Sequence, residues 1–436
     1  MEGNILDHVK KLHFVGIGGS GMCPMAEILF HKGFQLTGSD LNESDTLERI
    51  KGYGIPVSMG HRAENIGDAE CVVYTAACKP DNPELVAARE KGIPTLERSV
   101  MLGMLTRKFK RPVAVSGTHG KTTTTAMLTE VLIDGGMDPS AIIGEYVDTF
   151  LQLYPAVSVI LNIDADHQDY FKTVDNIVKS FHQFASQTSQ LIVVNGDNAL
   201  AMESVKGLTH AKIVTFGMSD KNDYYPTQMN EEDTACEDFT LTCHGEKLGR
   251  VNLIVPGEHN MMNALAAAAT AHCLGVDPAS ICTTLGKFTG VHRRFEVLGK
   301  FEGVTVADDF AHHPTELTAV LTSAVRMGYH EVWAVFQPHT YSRTYNLLDD
   351  FAKALSIPHH VVMTEILAVR EENKWGIHTS DLAEKIPGSV WFDSFEKITG
   401  YVMAHAQPGD LILTLGGGDI YKCANLFVEK YLEKQS

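Results

Sequence analysis

Val113-Ala114-Val115-Ser116-Gly117-Thr118-His119-Gly120-Lys121-Thr122-Thr123-Thr124-Thr125 decides how the chain is read. Val113 to Val115 is a short β-branched and apolar run, the pattern of a buried strand. A turn bounded by Gly117 and Gly120 follows, and then Met127, Leu128, Val131 and Leu132 recur at helical spacing. Strand, glycine-bounded turn, Gly-Lys-Thr and helix form the setting of a phosphate-binding loop. Glycines let backbone N–H groups turn toward a polyphosphate, and the helix N-terminus adds its dipole. Lys121 then reaches the outer phosphates, and the Thr122 hydroxyl is placed to ligate Mg²⁺. The common pattern is G-x-x-x-x-G-K-[ST], and this chain carries the shorter Gly117-Thr118-His119-Gly120-Lys121-Thr122. A bare Gly-Lys-Thr also occurs in ordinary turns, so the flanking strand and helix are what predict a site for ATP or GTP.

Upstream, Lys11 to Gly21 (KLHFVGIGGSG) places Gly16, Gly18 and Gly21 as G-x-G-x-x-G between a strand and a helix. Phe34 to Thr37 reads as a second strand ending in Gly38-Ser39-Asp40, where a ribose-binding carboxylate is expected. Cys71 to Thr75 is a strand, Asn82 to Lys91 a helix and Ile93 to Leu96 a strand edge. This is a βαβ domain. Taken literally the motif binds NAD or FAD; more broadly, the diphosphate of some nucleotide sits on the first helix N-terminus. The glycines are also compatible with a tight packing turn, and the motif alone does not identify the nucleotide.

Downstream, Val157 to Ile163 is a second buried strand, ending in Asp164-Ala165-Asp166-His167-Gln168-Asp169. Carboxyl ends of strands line the ligand crevice in doubly wound sheets, so this cluster faces the loop's phosphates and offers Mg²⁺ ligands. The alternative is a polar strand-to-helix cap. Leu191 to Asn195 is another strand, and Ser219 to Arg250 alternates like a small antiparallel hairpin region. His259, Asn260 and Asn263 fall on the first turn of an alanine-rich helix, where the amides either read an adenine or cap the helix. Arg293-Arg294 is a paired cation suited to a terminal phosphate. From Phe295 the alternation resumes: strands at Val304 to Asp309, Glu331 to Phe336, His359 to Thr364, Val390 to Phe392 and Asp410 to Leu415. The first, second and last of these end in polar groups: DFAHHPTE, QPHTYSRT and GGGD.

With 436 residues, 44% hydrophobic and 21% charged, the chain is ordinary globular protein, too long for one core. The expected architecture is α/β with three domains: a Rossmann-like domain over 1–107, a P-loop ATPase-type domain over 108–294 and a second Rossmann-like domain over 295–436. A formal charge of −18 speaks against nucleic acid and anionic membrane as partners. Anionic substrates must then be captured by local N–H nests and a few cations. No long apolar run or secretory signal is present, and eight scattered cysteines form no C-x-x-C pair, which predicts reduced thiols in a cytoplasmic protein.

Assembled, these motifs resemble the Mur ligases, the ATP-dependent amide-forming enzymes of bacterial peptidoglycan synthesis. GIGGSGM with GSD, SGTHGKTTTT, NIDADH, GEHNMMNALAA with RRFE, DDFAHHPTE, FQPHTYSRT and TLGGGDIYK cover nearly the whole chain. DDFAHHPTE and FQPHTYSRT point to the alanine-adding members. The resemblance implies that the first domain holds the UDP part of UDP-N-acetylmuramate through Gly18, Gly19, Ser20, Gly21, Met22, Ser39, Asp40 and Thr75. The second holds ATP and Mg²⁺ through Gly117, Thr118, His119, Gly120, Lys121, Thr122 and Thr123, with Thr122 and His167 as metal ligands. His259, Asn260, Asn263 and Asp309 would surround adenine and ribose, and Arg294 would meet the transferred phosphoryl group. The third docks L-alanine through His312, His339 and Arg343 and closes over both. Lys121, His167, Arg294, His339 and Arg343 are the implied catalytic residues. A monomer or homodimer is expected.

The chain departs from the family in three places. Phe310 and Thr340 stand where many alanine-adding members have tyrosine and arginine, both near the amino-acid pocket. Gly144 runs directly into Glu145, where the family carries a long glycine-rich stretch and a strand with an acidic metal ligand. Two other functions fit the same motifs: a recycling ligase that joins a whole tripeptide to UDP-N-acetylmuramate, and a nucleotide-binding protein that no longer ligates. A dehydrogenase would leave the phosphate loop unexplained.

Overall fold

The structure is a computed structural model and describes residues 4–142, 149–164, 173–229, 236–369 and 371–435. The chain forms two compact units: Met1–Tyr225 with Leu265–Ile281, and Pro226–Ala264 with Cys282–Ser436.

The first unit contains a five-stranded sheet of order β3-β2-β1-β4-β5, parallel throughout. Its strands are β1 (Lys11–Val15), β2 (Gln35–Asp40), β3 (Val57–Met59), β4 (Cys71–Tyr74) and β5 (Thr95–Glu97). The order reverses between β1 and β4, which opens a crevice at their carboxyl ends. The turn Gly16 to Gly21 follows β1 and Thr75 follows β4, so both lie at that crevice. Helix α1 (Cys23–His31) leaves the turn with Met25, Ala26 and Leu29 buried against the sheet. Helices α2 (Asp45–Gly52), α3 (Pro83–Glu90) and α4 (Arg98–Thr106) complete the alternation.

The same unit holds β6 (Val113–Ser116), β7 (Val157–Ile160), β8 (Leu191–Asn195) and β9 (Lys212–Phe216), each parallel to the next. β7 and β8 are buried at every residue, as strands covered on both faces must be. β6 is partly exposed, and among the described residues β7 is its one strand neighbour. Helix α5 (Lys121–Asp134) buries Met127, Leu128, Val131 and Leu132, the positions its spacing singled out. Phe150 packs its ring 5.1 Å from Phe181 and 5.4 Å from Phe184. Each such ring contributes roughly 1.5–3 kcal/mol by leaving water. The expected strand to Ile163 ends at Ile160, because its partner β6 turns into the phosphate loop there. The segment keeps bonding to that loop: Leu161 N donates to Ser116 O at 2.9 Å, and Thr118 N donates to Asn162 O at 3.0 Å.

In the second unit, β11 (Cys236–Cys243) and β12 (Glu246–Pro256) form the expected antiparallel hairpin. His244 (φ 47°) and Gly245 (φ 85°) both sit in the left-handed region, the reversal that suits a twisted hairpin. The preceding strand, β10 (Tyr224–Thr227), instead pairs parallel with β9 at Tyr224 and Phe216. Helix Glu258–Leu274 follows the hairpin. The carboxyl-terminal sheet has the order β13-β14-β18-β15-β16-β17. β13 (Glu296–Phe301), an antiparallel edge that the sequence pattern did not reveal, pairs with β14 (Val304–Asp309). β15 (Val332–Phe336), β16 (His360–Met363), β17 (Val390–Trp391) and β18 (Leu411–Leu415) are parallel to β14. β14, β18 and β15 are adjacent, so Asp309, Gly416 and Gln337 meet at one end of the sheet.

All eight cysteines are free thiols. Among the described residues, no helix is long and apolar enough to cross a membrane.

Candidate active site

The phosphate loop is shaped by backbone. Gly120 (φ 84°) is the N-cap of α5 and, being glycine, makes no side-chain cap bond, so the positive end of the helix dipole opens onto the turn. Gly117 lies in the left-handed region at φ 150°, and a Cβ there would stand 2.9 Å from Leu161 Cβ. Asn162 grips His119 from the neighbouring segment: His119 N donates to its Oδ1 at 2.8 Å, and its Nδ2 donates to His119 O at 3.2 Å. The Lys121 ammonium curls back over the turn, donating to Gly117 O at 2.9 Å and Thr118 O at 2.8 Å. A cation thus occupies the mouth of the loop. Thr122 is half-buried, whereas Thr123 is buried, so Thr123 has its main chain to offer. Asp164 N donates to Thr118 Oγ1 at 2.9 Å, and Asp164 Oδ2 lies 3.4 Å from His119 Nε2. Asp166, His167, Asp169 and the Gly144-Glu145 junction lie outside the described residues.

The first glycine turn carries the opposite charge. Gly16 (φ 80°) makes the turn, and a Cβ on it would stand 2.9 Å from Thr75 Cγ2. Asp40 Oδ2 accepts from Gly18 N at 2.9 Å, and its Oδ1 accepts from Leu41 N at 2.7 Å and Asn42 N at 3.2 Å. The carboxylate therefore pins the turn. Gly19 and Ser20 are exposed, Gly21 half so, and Met22 sends its side chain into the core. Ser39 does not present its hydroxyl to the crevice: it is fully buried and donates to Glu84 Oε2 at 2.7 Å. Strand alternation turns it inward beside Asp40. Glu84, which no motif marked, is a fully buried hub for Ser39, Asn65 and His61, with His13 Nε2 at 3.8 Å. Burial pushes its carboxyl up, yet hydrogen bonds from His13, Ser39 and Asn65 outweigh that and hold it below the usual range.

The second unit gathers the side chains at the ends of β14 and β15. His312 and His339 have ring centroids 5.5 Å apart, and Arg343 Nη1 stands 3.5 Å from His339 Nδ1. Burial, then His312 and Arg343, push His339 down to about 4, so its imidazole is neutral near pH 7. His312 Nδ1 lies 2.9 Å from Phe310 O. Thr340 holds a left-handed φ of 66°, unusual for a β-branched residue, and accepts from Arg343 N at 3.4 Å to cap helix Tyr341–Asn346. Phe310 packs under both cations, 5.0 Å from Arg293 and 5.2 Å from Arg294.

Asp309 accepts from Phe295 N and Ala311 N, each at 2.7 Å, and burial pushes its carboxyl up to about 6. Asn260 Nδ2 donates to Pro256 O at 2.7 Å, and Asn263 Nδ2 to Asn260 Oδ1 at 3.3 Å. These bonds brace the chain. His259, pushed down to about 4 by burial and Arg294, borders a cavity of about 780 Å³ lined also by Met262, His313, Thr315 and Arg326. Arg293 is engaged internally, its Nε on Asp308 at 2.8 Å and its Nη groups on the Gly416 and Gly418 carbonyls at 2.9 Å. The one metal-capable cluster found among the described residues, His330, Glu331 and Asp410, stands at the amino ends of β15 and β18. Asp410 is already taken there by Gln407 N, Trp333 Nε1 and His330 Nδ1.

Three family profiles match in succession. They are "Mur ligase family, catalytic domain" over residues 11–110, "Mur ligase middle domain" over 140–271 and "Mur ligase, glutamate ligase domain" over 293–418. The UDP-N-acetylmuramate–L-alanine ligase of Caldanaerobacter subterraneus is 39% identical, covering 98% of each chain. That of Agathobacter rectalis is 41% identical, covering 96% of this chain and 98% of the relative. The first alignment runs over 454 positions, more than the 436 residues here, so that relative carries residues without a counterpart. The solved UDP-N-acetylmuramate–alanine ligase of Thermotoga maritima superposes with a TM-score of 0.81 at 28% identity, covering 97% of this chain and 99% of that one.

Proposed function

The chain belongs to the Mur ligase family, and from that premise we propose that it joins L-alanine to the lactyl carboxylate of UDP-N-acetylmuramate, with ATP converted to ADP and phosphate. The reading rests on two features held by one chain: an ammonium-bearing phosphate loop, and the guanidinium–imidazole cluster of Arg343 and His339. We assign the nucleotide sugar to residues 1–107, ATP to 108–294 and the amino acid to 295–436, acting in the cytoplasm.

A carboxylate and an amine do not condense in water without activation. In the proposed route a lactyl carboxylate oxygen attacks the γ-phosphorus and ADP leaves. The alanine amine then attacks the acyl carbon, and phosphate leaves as the amide forms and the nitrogen loses its proton. Lys121 exchanges its two carbonyl partners for phosphate oxygens and neutralises charge developing there, as does Arg294. Gly117 to Thr123 supply backbone N–H groups, and His259 offers its flanking cavity to the adenosine. Asn260, Asn263 and Asp309 shape the surrounding chain. Magnesium suits the hard oxygen of Thr122, with His167 as a second donor, and when bound would offset phosphate charge. Arg343 forks the alanine carboxylate, a match an ammonium cannot reproduce. Neutral His339 adds no positive charge beside the cationic amine, and His312 borders the same pocket. In the first turn, Gly18 to Met22 and Thr75 border the UDP, with Asp40 holding Gly18; Ser39 supports from beneath.

Mass spectrometry of products formed with L-alanine, tripeptide or both in competition tests this reading. The alanine product should dominate. A preference for tripeptide would make the chain a recycling ligase, and no product would leave a binding protein. Arg343→Lys should raise KM for L-alanine by about tenfold while KM for ATP stays within about twofold, since a two-pronged contact is lost at one substrate only. Equal effects would place Arg343 on the phosphates.

A further inference from the structure

Asp164 stands where the phosphate loop and the next strand run side by side. β6 and β7 are parallel neighbours in register from Val113 with Val157 to Ser116 with Ile160, so both deliver their following residues to the same end of the sheet. Beyond the strands the pairing continues through Leu161 N to Ser116 O, Thr118 N to Asn162 O and Asp164 N to Thr118 Oγ1. Leu161 and Ile163 are buried, while the Asp164 side chain keeps 43% of its surface exposed, so the carboxylate emerges at the rim of the loop. His119, within the loop itself, lies 3.4 Å from it.

From this geometry we infer that Asp164 is a positioning carboxylate for the magnesium ion of the bound nucleoside triphosphate, acting with the Thr122 hydroxyl. The inference rests on the proposed ATP site. Phosphate-loop enzymes in general hold their metal between the loop's Ser or Thr and an aspartate at the end of an adjacent strand. Here Thr122 opens α5 after β6, and Asp164 follows β7. Magnesium keeps several of its waters, so a carboxylate works through a bound water without reaching the ion directly. A carboxylate that only paired with His119 would support the loop in all conditions and would be indifferent to metal.

Isothermal titration of a non-hydrolysable ATP analogue, with Mg²⁺ and separately with EDTA, tells the two apart. Wild type should bind the analogue more tightly with Mg²⁺. In Asp164→Asn that gain should shrink by about tenfold or more, the loss typical of removing a partner from a metal site. Affinity in EDTA should stay within about twofold, and Asp164→Glu should recover most of the gain. Mn²⁺ paramagnetic resonance on the same proteins should show weaker nucleotide-dependent metal uptake in Asp164→Asn. An undiminished gain in Asp164→Asn, or equal losses with Mg²⁺ and EDTA, would overturn the inference. Thr122→Ala is the control: if it loses the gain and Asp164→Asn does not, the ATP site stands and the role of Asp164 falls. If wild type binds no analogue, the ATP site itself is wrong.

Discussion

The glycine turns after β1 and β6 are built alike. Each leaves a parallel strand, relies on a left-handed glycine (Gly16 at φ 80°, Gly120 at φ 84°) and leads toward a helix. What fills them differs. Lys121 lays an ammonium on the carbonyls of Gly117 and Thr118, whereas Asp40 lays a carboxylate on the N–H of Gly18. A polyphosphate entering the second turn meets a cation ready to change partners. In the first turn an anion already holds an N–H, which leaves a neighbouring carboxylate suited to hydroxyl donors such as those of a ribose. In the proposed assignment the same strand–turn–helix plan serves two ligands, and one charged side chain distinguishes the two turns.

Lys121→Ala puts the largest strain on that contrast. It should lower kcat by on the order of a hundredfold or more, because one preorganised charge at the transferred phosphoryl group is lost. Binding of UDP-N-acetylmuramate, followed by titration calorimetry, should hold within about twofold. Wild-type turnover in the variant would remove the loop from catalysis.

Asp40→Asn is the mirror experiment. Three backbone N–H groups lose a charged acceptor. UDP-N-acetylmuramate should bind about tenfold more weakly, with the affinity for the ATP analogue unchanged. A matching loss at both nucleotides would show that the turns do not act independently.

Ser39→Ala sharpens the boundary of the first turn. The hydroxyl serves Glu84 rather than a ligand, so UDP-N-acetylmuramate affinity should move less than about threefold. Stability should fall by about 1–3 kcal/mol in urea unfolding, because a buried carboxylate loses a donor. Weakened binding without destabilisation would return Ser39 to the ligand site.

The smallest expected effect is on stability against pH, and it concerns the second unit. His259 and His339 have folded values near 4, below their ordinary 6.5, so the unfolded chain takes up their protons first and stability falls as pH drops from about 6.5 to 4. Asp309 opposes them. Its folded value near 6 exceeds the ordinary 3.8, so it favours folding at low pH and loses that contribution as pH rises from about 4 to 6. Two groups against one leave a net gain toward pH 6.5, and Asp309→Asn should steepen it in urea midpoints compared at pH 4.5 and 6.5. An unchanged slope would mean Asp309 ionises normally.

What could be read from the sequence was chiefly what backbone and periodicity encode. Glycines at Gly16, Gly117 and Gly120, and the buried face of α5, follow from local rules that neighbouring residues satisfy. His312, His339 and Arg343 were expected together and are together, since they follow β14 and β15, the two strands that flank β18. The supports were hidden because their partners come from far along the chain: Ser39 with Glu84, Arg293 with Gly416 and Gly418. Nothing in the local pattern separates an arginine that meets phosphate from one that ties a glycine loop, so Arg293 and Arg294 looked equivalent. The antiparallel edge β13 was missed for a related reason. Its residues (EVLGKF) are partly exposed and include a glycine, a weak strand pattern rescued by pairing with the fully buried β14.

Phosphate release from ATP, measured with UDP-N-acetylmuramate and L-alanine together and with each omitted in turn, tests the ligase assignment most directly. An acyl phosphate left exposed would hydrolyse, so productive turnover should await all three substrates. Release should be rapid with the full set and slight when either partner is missing. Release that is unchanged without L-alanine would contradict the assignment.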